Sequence, residues 1–167
     1  MGSIKIITDN AAQFSKPGCF ENLELMQINH PINLGNNVSS DLLKLKVSNL
    51  PNWVKKDGPP SFSPPNTNEI SEIITSAYQS SNDLFIITLS KFLHPGFYEI
   101  ERICAGLRGK TTIHLIDSES IGIGEGQIVQ FAADMVKKKL PPVTIDELLR
   151  KTVPHVYMLL CTPNFSY

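Results

Sequence analysis

The sequence has little cysteine, no long apolar run and no excess of charge, and each shortage removes a class of protein. Only three cysteines, Cys19, Cys104 and Cys161, occur in 167 residues. An odd number without CxxC or clustered Cys/His spacing gives neither a disulfide framework nor a zinc site. Cys104 and Cys161 stand in the apolar runs ERICAGL and YMLLCTP, where a small buried thiol is expected. The uninterrupted apolar runs fall far short of the roughly twenty residues that a spanning helix needs. The start, MGSIKIITDN, lacks the apolar core of a signal peptide, and Ile6 stands where a myristoylation motif needs Ser or Thr. These features predict a cytoplasmic protein without membrane insertion. Fifteen basic against sixteen acidic residues leave a net charge of −1. That balance argues against a nucleic-acid binder relying on whole-domain charge.

What is present is enough for a core. Apolar residues make up 41 % and charged residues 19 %, in a chain of one-domain length. Short apolar runs alternate with amphipathic stretches. Ile4 to Asp9 and Leu23 to Ile28 read as strands, the second closed by His30-Pro31. Val38 to Asp41 offer a cap for a short helix over Leu42, Leu43 and Leu45. Pro51, Pro59, Pro60, Pro64 and Pro65 mark the stretch around GPPSFSPPNTN as an irregular surface loop. A helix then starts at Asn66 to Glu69, with Ile70, Ile73, Ile74 and Ala77 on one face. Asp83 to Leu89 is an almost continuous apolar run, the mark of a strand covered on both sides.

A second helix follows Pro95-Gly96, and the strand from Thr111 to Ile116 ends in Asp117-Ser118. The longest helix runs from about Gly122 to Lys139, its last-turn lysines matching the negative end of the helix dipole. A short helix opens at Thr144, and Val156 to Leu160 reads as a final strand. This order predicts an α/β fold, a predominantly parallel sheet flanked by helices, with residues 1–167 as a single domain.

In such folds ligands bind outside the carboxyl ends of the strands. Here those ends are Thr8-Asp9-Asn10, Thr88-Leu89-Ser90, Asp117-Ser118 and Cys161-Thr162. Each is polar, which fits either a shared site or simply the chain's exit from the core. Gly122, Gly124 and Gly126 follow a strand and open a helix. Their GxGxG spacing meets neither nucleotide fingerprint, so close packing of a helix start on the sheet is the expectation. His30, His114 and His155 read as structural, while His94 lies in the loop after a buried strand. No G-x-S-x-G context accompanies it. Asp9 and Asp117 end separate strands, and no carboxylate pair is visible. What remains are the hydroxyls of Ser61, Ser63, Ser90 and Ser118 on loops at the mouth of the sheet. With exposed backbone N–H groups they suit a carboxylate or phosphate, a binding chemistry rather than a reactive one.

The order of motifs resembles the DegV family of bacterial fatty-acid-binding proteins. The family's strand into T-D-S-T-A is matched by Thr8-Asp9-Asn10-Ala11-Ala12, and its T-S-Q-P-S-P loop by Pro60-Ser61-Phe62-Ser63-Pro64-Pro65. Its I-S-S-G-L-S-G-T is matched by Leu89-Ser90-Lys91-Phe92-Leu93-His94-Pro95-Gly96, and its V-I-D-S-x-S by Leu115-Ile116-Asp117-Ser118-Glu119-Ser120. The resemblance implies an α/β domain of the family's amino-terminal type, no cofactor, and a long-chain fatty acid as ligand. In the family, hydroxyls of the two serine loops hold the carboxylate, and a partner fatty-acid kinase phosphorylates it. Carried over, Ser61 and Ser90 are the head-group residues, with Lys91 adding positive charge where the family has its second serine.

Pro60 removes a hydroxyl, and Phe92 fills a glycine position. Set against the family, the second domain is expected to be missing from this chain. Burying about fourteen methylenes is worth on the order of 11 kcal/mol, and one wall captures only part of that. Self-association could close such a site. Two other readings stay open, an interaction module that no longer binds lipid and a small acyl or phosphoryl transferase using His94.

Overall fold

The computed structural model describes residues 3–15, 20, 23–34, 37–39, 60–63 and 65–159. Cys19, Cys161, Thr162 and the expected helix over Leu42 to Leu45 lie outside them. The elements run β1 (Ile4–Asp9), β2 (Leu25–Ile28), β3 (Ile32–Leu34), β4 (Asn37–Ser39), β5 (Ser61–Phe62) and α1 (Thr67–Gln79). They continue with β6 (Asp83–Thr88), α2 (Gly96–Gly106), β7 (Thr112–Asp117), α3 (Ile123–Lys137) and α4 (Pro142–Thr152), then a 3-10 turn at Val153–His155.

The apolar strands make one four-stranded sheet in the order β2-β1-β6-β7, every pairing parallel. In β6, Leu84, Phe85, Ile86 and Ile87 are all wholly buried, as the unbroken apolar run foretells. Side-chain alternation sends Phe85 and Ile87 to one layer, with Ile6, Ile116 and the apolar faces of α3 and α4. Leu84 and Ile86 go to the other, with Ile7, Ile28 and the faces of α1 and α2. α1 forms where Asn66 caps it, its side-chain oxygen accepting the Asn68 N–H at 3.0 Å. Ile70, Ile74 and Ala77 recur at helical spacing and are buried. Each such isoleucine stabilises the fold by about 1.5–3 kcal/mol.

From β1 the chain moves to one side to lay down β2, then crosses to the other side for β6. The direction of winding therefore reverses between β1 and β6, and a crevice opens there at the carboxyl ends.

Three expectations need correction. Val38 and Ser39 lie in β4, while the helix expected after them falls outside the described residues; Ser61–Phe62, expected in an irregular loop, is a two-residue strand, and both strands pair antiparallel with β3 in a small second sheet. The last helix starts at Pro142, not Thr144, because proline fits a helix's first position, where its missing N–H costs nothing. Val156 to Leu159 form no strand: Pro154 shapes a 3-10 turn just before them, and Tyr157 and Leu159 stand exposed.

Candidate functional site

Asp9 closes β1 with its side chain wholly buried. Its Oδ2 accepts the Leu89 N–H at 2.7 Å and its Oδ1 the Ala11 N–H at 3.0 Å. One carboxylate thus ties the loops after β1 and β6 together at the point where the winding reverses. Behind it lies a second carboxyl. Glu125, in the first turn of α3, is fully buried, and its Oε1 accepts the Thr8 hydroxyl at 3.1 Å. Burial first, and the neighbouring Asp9 charge second, push Glu125 up to about 10. At neutral pH it is an uncharged acid set beside Asp9. The expectation that no carboxylate pair exists is therefore wrong.

The glycine-rich helix start explains how the pair forms. A Cβ on Gly126 would lie 1.8 Å from the Gln13 carbonyl oxygen, and one on Gly124 2.0 Å from the Ser120 hydroxyl. Only glycine lets this turn press against the loop after β1, and that approach sets Glu125 against Asp9. The close packing expected here is real, although its partners are loops rather than the sheet.

Between the loops after β1 and β6 is a cavity of about 160 Å³. Ala11, Leu89, Leu93 and Ile121 form its apolar wall, and Asn10, His30 and His94 its polar part. His94 is locked. Its Nδ1 accepts the Gly96 N–H at 3.0 Å and so carries no proton, and the ring also hydrogen-bonds the Ser63 backbone. Burial, then neighbouring His30, lower its pKa and keep it neutral. This ring welds the Ser61–Ser63 segment to the loop after β6.

His30 packs edge-on against His94, ring centres 4.6 Å apart. Its Nε2 stands 3.7 Å from Asp9 Oδ2, and neither ring nitrogen has a hydrogen-bond partner among the described residues. Read from sequence as structural, His30 instead helps form the cavity. His114 is structural, stacked on Phe85 at 4.3 Å and flanked by Asp83 and Asp146.

The three candidate head-group residues sit on the two welded segments. Ser61 is exposed in β5, opposite Asn33. Ser90 is buried directly after β6; its hydroxyl accepts the Phe92 N–H at 3.3 Å and its own N–H donates to the Ser120 carbonyl at 2.8 Å. Lys91 Nζ lies 3.5 Å from Asp117 Oδ2 and over the Phe92 and Phe97 rings at 5.6 and 5.7 Å. Phe92 is 82 % exposed. Of the other hydroxyls, Ser63 accepts from Asn33 Nδ2 at 2.6 Å and Ser118 donates to the Ser120 carbonyl at 3.2 Å. Among the described residues no three His, Cys, Asp or Glu are grouped to hold a metal, and no helix is long and apolar enough to cross a membrane.

The sequence profile of the DegV family, described as uncharacterised, matches residues 3–167. The chain belongs to the DegV family. No curated protein matches it in sequence. Solved structures do match in fold. A DegV family protein from Thermus thermophilus, described by its fatty acid binding, is 14 % identical with a TM-score of 0.80, over 90 % of this chain and 53 % of its own. DegV of Bacillus subtilis, described as a fatty acid binding protein, is 19 % identical with a TM-score of 0.77, over 92 % and 55 %. The fatty acid kinase (Fak) B3 protein of Streptococcus pneumoniae, loaded with linoleic acid, is 18 % identical with a TM-score of 0.74, over 91 % and 54 %. This DegV chain spans about half the length of the solved relatives it matches.

Proposed function

We propose that this DegV domain binds a long-chain fatty acid and does not turn it over. The observation that carries this reading is the largely apolar cavity at the reversal point, lined by residues of the loops after β1 and β6; Ser61, Ser90 and Lys91 are not among its lining residues. An engineered protein cavity of about 150 Å³ accepts benzene, so a space of this size takes about six carbons of a chain. Their burial contributes roughly 5 kcal/mol at about 0.8 per carbon. The rest of a long chain needs a second wall, which a further domain or a second copy of this chain would supply. Ser61, Ser90 and Lys91 are the proposed contacts to the carboxylate. Ser90 has a hydroxyl proton to give, and Lys91 offers charge that the acid shares with Asp117.

Binding fits better than catalysis because His94 spends both ring nitrogens on the backbone of Gly96 and Ser63. A histidine so held lacks the free nitrogen that a general base needs. The bound acids and the kinase in the names of the solved relatives support a fatty acid as the ligand and a fatty-acid kinase as the protein that would receive it.

Native mass spectrometry of the chain purified from a bacterial host tests the reading. A co-purifying fatty acid is expected, and delipidated protein should take up oleic acid again. Protein that carries none and takes up none would instead be an interaction module on the same fold. Within the binding reading, Ser61→Ala combined with Ser90→Ala should weaken binding by about 1–3 kcal/mol. Unchanged affinity rejects those contacts.

A further inference from the structure

His30 is fixed by its own backbone. Its N–H donates to Asn10 Oδ1 at 3.0 Å and its carbonyl accepts Asn10 Nδ2 at 3.3 Å, so the ring is held in the cavity wall. The residue is 3 % exposed, and both ring nitrogens lack a hydrogen-bond partner among the described residues. A buried polar group left in that state is costly, and native folds keep few of them without a reason. Its neighbours give no relief. His94 has engaged both nitrogens, and Asp9 uses its two oxygens on Leu89 and Ala11. At 3.7 Å from Nε2, Asp9 is beyond hydrogen-bond distance but close enough to favour a proton on that nitrogen. Nδ1 is then the nitrogen left for a ligand, which must reach it through the packed wall of the cavity because both ring nitrogens are covered. Bare, it accepts an O–H; in the doubly protonated ring it donates an N–H to a carboxylate. A carboxylic acid suits both states, because ligand and ring need one shared proton between them.

We infer that His30 is the residue in this cavity that reads the carboxylic acid head of the ligand. This rests on the fatty-acid reading and adds a contact to the serine loops. An alkyl ester of the same chain has no O–H to give the bare nitrogen and no charge to strengthen a bond from the protonated ring, so it gains far less from His30.

The test uses the delipidated full chain with oleic acid and methyl oleate. His30→Phe keeps a ring of similar size and should weaken oleic acid binding by about 10- to 100-fold, the loss expected for one charge-assisted hydrogen bond. His30→Gln should recover part of it, and methyl oleate should bind wild type and His30→Phe alike. In wild-type protein carrying nitrogen-15 histidine, oleic acid should shift the His30 ring resonances and methyl oleate should not, with His114 as an internal reference. This second measurement decides the matter if the variant does not fold. Oleic acid bound equally well by His30→Phe, or bound without a His30 shift, overturns the inference and leaves lipid binding standing. A wild-type chain that binds no acid overturns both.

Discussion

Replacing Glu125 with glutamine should abolish most of the stability loss that the protein undergoes in mildly alkaline solution. In the unfolded chain this carboxyl titrates at about 4.5, whereas in the fold it holds its proton to about 10. Its contribution is therefore complete below the lower value and drains away as pH rises toward the upper one. Between them each pH unit costs the native state about 1.4 kcal/mol, because only the unfolded chain has released the proton. From about pH 7 to about pH 8.5 the loss from this one group comes to roughly 2 kcal/mol. The window isolates it. His94, held below its ordinary 6.5, stops contributing beneath the window, and Cys104, pushed up from 9.0 to about 11 by burial, matters mainly above it. Glutamine stays neutral at every pH; its carbonyl can accept the Thr8 hydroxyl and its amide can donate to Asp9. Urea midpoints at the two pH values, converted with a common slope, read the difference. Wild type should lose about 2 kcal/mol and Glu125→Gln much less. Parallel losses in the two proteins would mean that Glu125 is ionised in the fold, and the account of the buried pair would fail.

Gly126→Ala puts a methyl group 1.8 Å from the Gln13 carbonyl, so backbone must move; thermal unfolding should show a cost of at least about 2–3 kcal/mol. Gly106→Ala, with nothing within 4 Å of the added carbon, is the control and should be neutral or stabilising by up to about 1 kcal/mol. Equal effects at the two sites would show that the helix start is not closely packed. His94→Ala removes the acceptor of the Gly96 N–H, and hydrogen exchange at that amide should speed about tenfold, as loss of a bond worth about 1.4 kcal/mol implies. An unchanged rate would deny that the His94 ring holds this N–H.

The main sheet and its helices were legible because each is specified locally. The apolar run of β6, the Asn66 cap and the helical spacing of Ile70, Ile74 and Ala77 each act within a few residues, and all four main strands fall where the pattern puts them. The errors came where local signals are ambiguous. YMLL is apolar enough for a strand, but Pro154 and the turn it shapes precede it, and a short apolar run says nothing about whether a sheet edge awaits it. β3 and β5 are too short to show a period, and their pairing joins residues some thirty positions apart.

The site was legible in location and not in membership, and the reason is distance along the chain. Thr8 meets Glu125 across 117 positions, and Asp9 meets Leu89 across 80. No spacing rule reaches that far. The hydroxyls and Lys91 were picked by residue type, yet type does not say what is already spent. Lys91 has Asp117 at 3.5 Å, so a carboxylate arriving there exchanges one ion pair for another at a partly exposed surface, worth about 0–1 kcal/mol. His30 looked ordinary beside a proline, but it is the group whose hydrogen-bonding capacity the fold leaves unmet in a buried wall. A head group placed there forms a bond without breaking one. Lys91→Ala should accordingly cost less affinity than His30→Phe, and the reverse order would put recognition at the rim.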